Sequence, residues 1–280
     1  TPTAVTREVL DVLHQKLNFI GTINRDYDDS YAKTGGKIGS DLKIRLPNTY
    51  SVTTGATMTA QDTTETSTTL TVATQKHVGM NFTDQDLTLS LDDFSNRIIE
   101  PAVTVLAANI EADAMSMYKN IYNSANQSTI TAALTYATLL GGRKKLNVFL
   151  APMNKRVANM TTQNTVDIVD ALKALTQDSG QLSKQYKEGS LGRIGGFDFY
   201  ENSLWARHAS GVSDASGSSY VVNGANQTGA SVTVGTGTTC TFVIGDIVTF
   251  AGCNAVHWES KADLGYLKQF VITANSGTSA

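Results

Sequence analysis

The sequence predicts an α+β chain, and three observations carry that reading. Between Leu91 and Ser124 apolar residues recur at spacings of three and four, the period of a long amphipathic helix. In Leu42–Leu46, and again from Leu70 to Phe82, apolar and polar residues alternate with the period of half-buried strands. Beyond Ala209 short β-rich runs are separated by Gly-rich turns. Helical and extended segments are therefore segregated along the chain rather than strictly alternating.

Residues 1–40 read as an N-terminal arm. Thr6 to Ile20 forms a short amphipathic helix with Val9, Leu13, Leu17 and Ile20 as its apolar edge, and the Gly-rich segment after it has no period. Residues 41–90 hold a long β-hairpin. Its first leg contains Leu42, Ile44 and Leu46 and stops at Pro47; its second contains Leu70, Val72, Val78, Met80 and Phe82. The Thr-rich stretch between the legs, which includes Met58, has too few large apolar side chains to fold alone, so it reads as a projecting arm that packs on a neighbour.

Residues 91–135 contain the spine helix. Ser90, Asp92 and Asp93 supply its cap, and Ile99, Val103, Leu106, Ile110, Ala114, Met117 and Ile121 form its stripe, with Asn109, Glu111, Asp113 and Lys119 placed off it. Pro101 removes one backbone donor and predicts a kink or a separate first segment. At 1.5 Å per residue the element would run roughly 45–50 Å.

Residues 136–208 read as a compact α/β unit. It comprises a helix from Tyr136 to Phe149 weakened by Gly141-Gly142, a strand near Val157–Met160, a helix capped by Asn164 and carrying Ile168, Val169, Leu172 and Leu175, a short helix ending at Gly189, and a strand Phe197–Tyr200. Residues 209–280 form a β module with strands at Tyr220–Val222, Ala230–Val234, Cys240–Ile244, Ile247–Phe250 and Tyr266–Thr273.

With 22 basic and 25 acidic residues among 280, the net charge of −3 disfavours a basic nucleic-acid-binding role, and the low charged fraction leaves a surface that tolerates burial against neighbours. No apolar run approaches a membrane span and the start lacks a signal pattern, so the chain reads as cytoplasmic in origin. Cys240 and Cys253 read as inert thiols. His14, His77, His208 and His257 are scattered without metal-ligand spacing, and His257-Trp258-Glu259 lacks the cysteine pair of a zinc deaminase. Asp26, Asp28 and Asp29 lack the glycine and the closing glutamate of a calcium loop. Glu111 and Asp113 point in different directions on the helix, and Gly189–Gly196 follows a helix rather than a strand, so it reads as a flexible loop rather than a phosphate cradle. These residues assemble no enzyme site and call for no cofactor.

Several stretches resemble the major capsid proteins of tailed bacteriophages with the Hong Kong 97-like fold, in the subgroup with a β insertion domain typified by a short-tailed Salmonella phage coat protein. They are VTREVLDVLHQKL, NRDYDDSYAKTGGKIGSDLKIRLPNTY, LDDFSNRIIEPA, DIVDALKAL, QYKEGSLGRIGGFDFYEN and IGDIVTFAGCNAVH. The resemblance implies an N-arm, an E-loop hairpin (Leu42–Phe82), a spine helix in a peripheral domain, an axial domain (Tyr136–Tyr200) and an inserted β-rich domain. It also implies hexamers and pentamers of an icosahedral virion shell around double-stranded DNA, assembled in the bacterial host cytoplasm with a scaffolding protein, a portal and a decoration protein, without sequence-specific DNA binding and without a membrane. Leu42, Ile44, Leu46, Met58, Leu70, Val72, Val9, Leu13 and Leu17 are then the expected interface residues.

Two departures bear on this. Family chains run on past the insertion to a closing strand, whereas this sequence stops at Ala280, and either a truncated form or a rearranged tail is the expectation. The type member crosslinks its shell through an E-loop lysine, and Pro47–Gln75 has no lysine, so a non-covalent shell is expected. A carbohydrate-binding or adhesin-type β module, with Trp258, Tyr220 and Tyr266 as its aromatics, is the alternative.

Overall fold

The computed structural model describes Val9 and residues 18–23, 37, 39–50, 52–58, 60–79, 81, 95–125, 133–172, 192–212, 220–235 and 240–276. It is a mixed α+β chain with several small sheets. In order, its elements are α1 (Phe19–Thr22), β1 (Asp41–Arg45), β2 (Ser67–Thr71), a π-helical turn (Ser95–Ile99), α2 (Glu100–Ser116), a 3-10 turn (Met117–Asn120) and α3 (Tyr136–Val148). β3 (Val157–Met160), α4 (Thr162–Leu172), β4 (Arg193–Ile194), β5 (Phe197–Glu201), β6 (Val221–Val222), β7 (Val234–Gly235), β8 (Ile247–Val256) and β9 (Asp263–Val271) follow.

The spine is helical without a break from Ser95 to Asn120, and its capping residues Ser90, Asp92 and Asp93 lie outside the described residues. Pro101 lacks the N–H that an unbroken α ladder would aim at the preceding turn, and the π-helical turn directly before it takes up that irregularity without ending the helix. The buried face differs in phase from the expected stripe. It is a ladder of fourth residues: Ile99, Val103, Ala107, Glu111 and Met115. Met117 and Ile121 are exposed, and Leu106, Ile110 and Ala114 lie half-buried at its margins. Glu111, expected off the stripe, is at its centre with 3% exposure.

β1 and β2 pair antiparallel, Leu42 opposite Leu70 and Ile44 opposite Thr68. The return leg is shorter than expected: residues 72–79 form no strand, and Met80 and Phe82 lie outside the described residues. The Thr-rich segment takes the strand because threonine, branched at Cβ, prefers extended backbone.

β3, β5 and β4 form a three-stranded sheet in that spatial order, β3 parallel to β5 and β4 antiparallel to it. A parallel pair needs a crossover, which α4 supplies in part, so the strand–helix–strand reading holds here. Gly195 and Gly196 both have positive φ (61° and 87°) and close the two-residue β4–β5 turn, so this end of the glycine-rich segment is a defined hairpin rather than a loose loop. Met160, Ile168 and Leu172 make the core beneath it, with Tyr136, Val169, Ile194 and Phe199 against them.

α3 runs through Gly141-Gly142, and Thr135 caps it, its Oγ1 accepting from the Thr138 N–H at 3.3 Å. The cap of α4 is Thr161, whose Oγ1 accepts from Asn164 N–H at 3.2 Å; Asn164 itself lies inside the helix. Leu175 and the Gly189-terminated segment fall outside the described residues.

In the last part, β6–β7 and β8–β9 form two separate antiparallel pairs. Phe250 and Phe270 meet edge-on across the longer one, 5.5 Å between ring centres. Cys240–Ile244 is not a strand. The Asp246 carboxylate accepts from Val243 N–H at 2.8 Å and draws that backbone into a turn instead of a ladder. Cys240 is buried, Cys253 is exposed, and both are free.

Candidate interaction surface

The β1–β2 hairpin is built to present side chains, not to bury them. Leu42 and Ile44 are half-buried on one face of β1, whereas every residue of β2 is exposed. Beyond the ladder the two legs stay in touch through Leu46 N–H to Thr66 O at 2.9 Å, an exposed Arg45–Glu65 ion pair at 3.3 Å, and a Tyr50–Thr63 hydroxyl contact at 3.4 Å. Between them Val52 is 98% exposed and Met58 90%, with Leu46, Tyr50 and Leu70 also outward. These apolar side chains are left open to solvent along one projecting segment. Of the other expected interface residues, Val72 and Val9 are half-buried, and Leu13 and Leu17 lie outside the described residues.

The hairpin's base is tied to the spine. Lys76 donates from Nζ to the side chain and carbonyl of Asn109 and forms an ion pair with Asp113. Asp113 thus faces the hairpin while Glu111 faces the interior, as expected for two helical positions about 200° apart.

A second junction joins the β module to the segment that follows β5, to Ser124 and to α3. Asp246 accepts from His208 Nε2 at 2.8 Å, Val243 N–H at 2.8 Å and Gly211 N–H at 3.1 Å. Burial pushes its carboxyl up, but the Val243 amide, His208 and the Gly211 amide together outweigh that and hold it below the ordinary carboxylate range. Gln269 of β9 accepts from Ser124 N–H at 3.0 Å and from Lys145 of α3. Burial, with Lys144 adding to it, lowers the Lys145 pKa. Periodicity says nothing of Asp246 or Gln269, because their partners are distant in sequence.

An open cavity of about 280 Å³ lies beside this junction, with Tyr118, Asn159, Trp205 and His208 in its wall; Asn159 Oδ1 accepts from Trp205 Nε1 at 2.7 Å. Among the described residues no carboxylate or thiol lines it. His77 is exposed on the segment after β2, and His257 sits in the β8–β9 turn, where its Nδ1 accepts from Ser260 N–H at 3.3 Å. Asp26, Asp28, Asp29 and His14 fall outside the described residues. Among the described residues no three His, Cys, Asp or Glu side chains cluster to hold a metal, and no helix is long and apolar enough to cross a membrane.

A solved structure from Mycobacterium phage Che8 superposes on this fold with a TM-score of 0.54, covering 68% of this chain and 70% of that one at 17% identity. The chain shares its fold with a phage protein. At that identity the likeness speaks for the arrangement of elements and not for individual residues. No protein-family model matches the chain, and no curated protein matches it in sequence.

Proposed function

We propose that this chain is the major capsid protein of a tailed bacteriophage, with the Hong Kong 97-like fold, and that it assembles into an icosahedral shell enclosing double-stranded DNA. The observation that carries the reading is the hairpin: a two-stranded element of marginal stability by itself, clamped to the spine at its base through Lys76 and open along Val52, Met58 and Leu70. The phage-derived fold and the motif resemblance along the chain support the same reading. Function then resides in interfaces rather than in catalysis. The partners are further copies in hexamers and pentamers, a scaffolding protein, a portal and a decoration protein, and the chain ends up in the virion.

The lysine-free stretch Pro47–Gln75 supports a shell held by many non-covalent contacts. Gradient sedimentation of the chain co-expressed with its scaffolding protein tests this: a fast-sedimenting particle that runs as monomer on a denaturing gel agrees, and a covalent ladder contradicts the non-covalent part. The alternative, a carbohydrate-binding β module, draws on Trp258, 56% exposed in the β8–β9 turn with Lys261 Nζ 5.3 Å from its ring centre. Glycan-array binding by the full chain, lost in Trp258→Ala, would favour it.

A further inference from the structure

Glu111 is the buried carboxylate of the spine, and both its oxygens are used by elements remote in sequence. Oε1 accepts from the backbone N–H of Phe19 at 2.8 Å, and Oε2 accepts from Asn202 Nδ2 at 3.0 Å. Asn202 cannot turn its amide over freely. Its Oδ1 already accepts from Leu204 N–H at 2.9 Å, its own N–H donates to Met160 O at 2.9 Å, and the side chain is buried. Glu111 therefore faces two fixed donors, which only a group with two acceptor oxygens satisfies.

At the other end, the Phe19 ring meets Trp205 edge-on, 6.3 Å between centres. Residues 18–23 carry no charged side chain, and α1 is four residues long, too short to hold itself together. Among the described residues, the bond to Glu111 is the hydrogen bond that joins this segment to the rest of the chain.

We propose that the Glu111 carboxylate is a latch: it fixes the root of the N-terminal arm at Phe19 to the spine helix and to the end of β5, and its loss frees the arm root while the subunit stays folded. The inference concerns the isolated chain and stands whatever that chain assembles into. Glu111→Gln replaces one acceptor oxygen by an amide that must confront either Phe19 N–H or Asn202 Nδ2. Phe19→Pro removes the opposing donor and the ring, and it also presses on Asn18, whose α-region backbone (φ −88°, ψ −54°) a following proline disfavours. Phe19→Ala keeps the donor and removes the ring.

Hydrogen exchange of the full chain, read by mass spectrometry, decides. Glu111→Gln and Phe19→Pro should each speed exchange of residues 20–23 by at least about tenfold, as expected for a lost charge-assisted bond, with β3 and β5 unchanged and Phe19→Ala well short of that effect. Should Glu111→Gln not fold, Phe19→Pro is compared with Ile20→Pro, which imposes a like backbone restriction but keeps the Phe19 donor and ring, and only Phe19→Pro should show the full effect. Unchanged exchange at residues 20–23, equal effects of Phe19→Ala and Phe19→Pro, or loosening of β3 and β5 together with the arm root would each overturn the proposal.

Discussion

Leu42 lies directly opposite Leu70 across the first hairpin, and theirs is the one pair in that register with apolar side chains on both strands. The other pairs set Thr or Ser against Asp, Lys, Ile or Arg. One cross-strand apolar pair contributes on the order of 0.2–1 kcal/mol, well short of what orders two strands and the long loop they carry. The hairpin therefore draws little of its order from its own cross-strand pairs.

That asymmetry separates assembly from folding. Met58→Asp, at a side chain that touches little within its own subunit, should leave the unfolding free energy within about 0.5 kcal/mol of wild type while abolishing particle formation. Urea denaturation of the monomer and gradient sedimentation of the assembly reaction check the two halves independently.

Gly211 is a close-approach position. A Cβ there would stand 1.8 Å from the Thr241 carbonyl oxygen, far inside contact distance. Gly211→Ala must push the two backbones apart, breaking Val212 N–H to Thr241 Oγ1 at 3.0 Å and Thr241 N–H to Val212 O at 3.1 Å. A loss of about 1–3 kcal/mol is expected by denaturant unfolding, whereas Gly142→Ala, inside α3 where a Cβ meets nothing, should gain about 0.5–1 kcal/mol.

Asp246 makes stability pH-dependent in a defined direction. Its folded-state pKa lies below its unfolded value, so the folded chain binds fewer protons through the acid range. The contribution is complete above the ordinary carboxylate pKa of about 4 and is lost as pH falls through the depressed folded value. Melting temperature should therefore decline below about pH 5 in the wild type. Asp246→Asn, which puts an amide against donors, should melt lower at neutral pH and show a shallower acid decline in a calorimetric pH series.

Much of the fold was legible because its local signals were strong. Tyr136–Val148, Val157–Met160 and Phe197–Glu201 appear where period and punctuation place them, and Leu42 and Ile44 share the inner face of β1. The phase of the spine was not legible. Ala107, Ala108, Ala112 and Ala114 dilute the apolar contrast around the helix, so a stripe through Leu106 and Ile110 scored as well as the true ladder through Ala107.

Glu111 was missed for the same reason together with its charge, since a carboxylate is placed outward unless its two donors are known. Those donors, Phe19 and Asn202, are about ninety residues away on either side. Cys240–Ile244 failed because its backbone donors go to scattered partners instead of one strand: Val212 O and the side chains of Ser276, Asp246 and Asn275. Met58 and Val52 of the Thr-rich loop are exposed, as a stretch with few large apolar side chains to pack against would leave them.

Negative-stain electron microscopy of the full-length chain, expressed with and without the scaffolding protein of its phage, tests the central claim most directly. Closed shells of uniform size, absent when Met58 is replaced by aspartate, are the expected result. A dispersed monomer under both conditions would contradict the capsid reading.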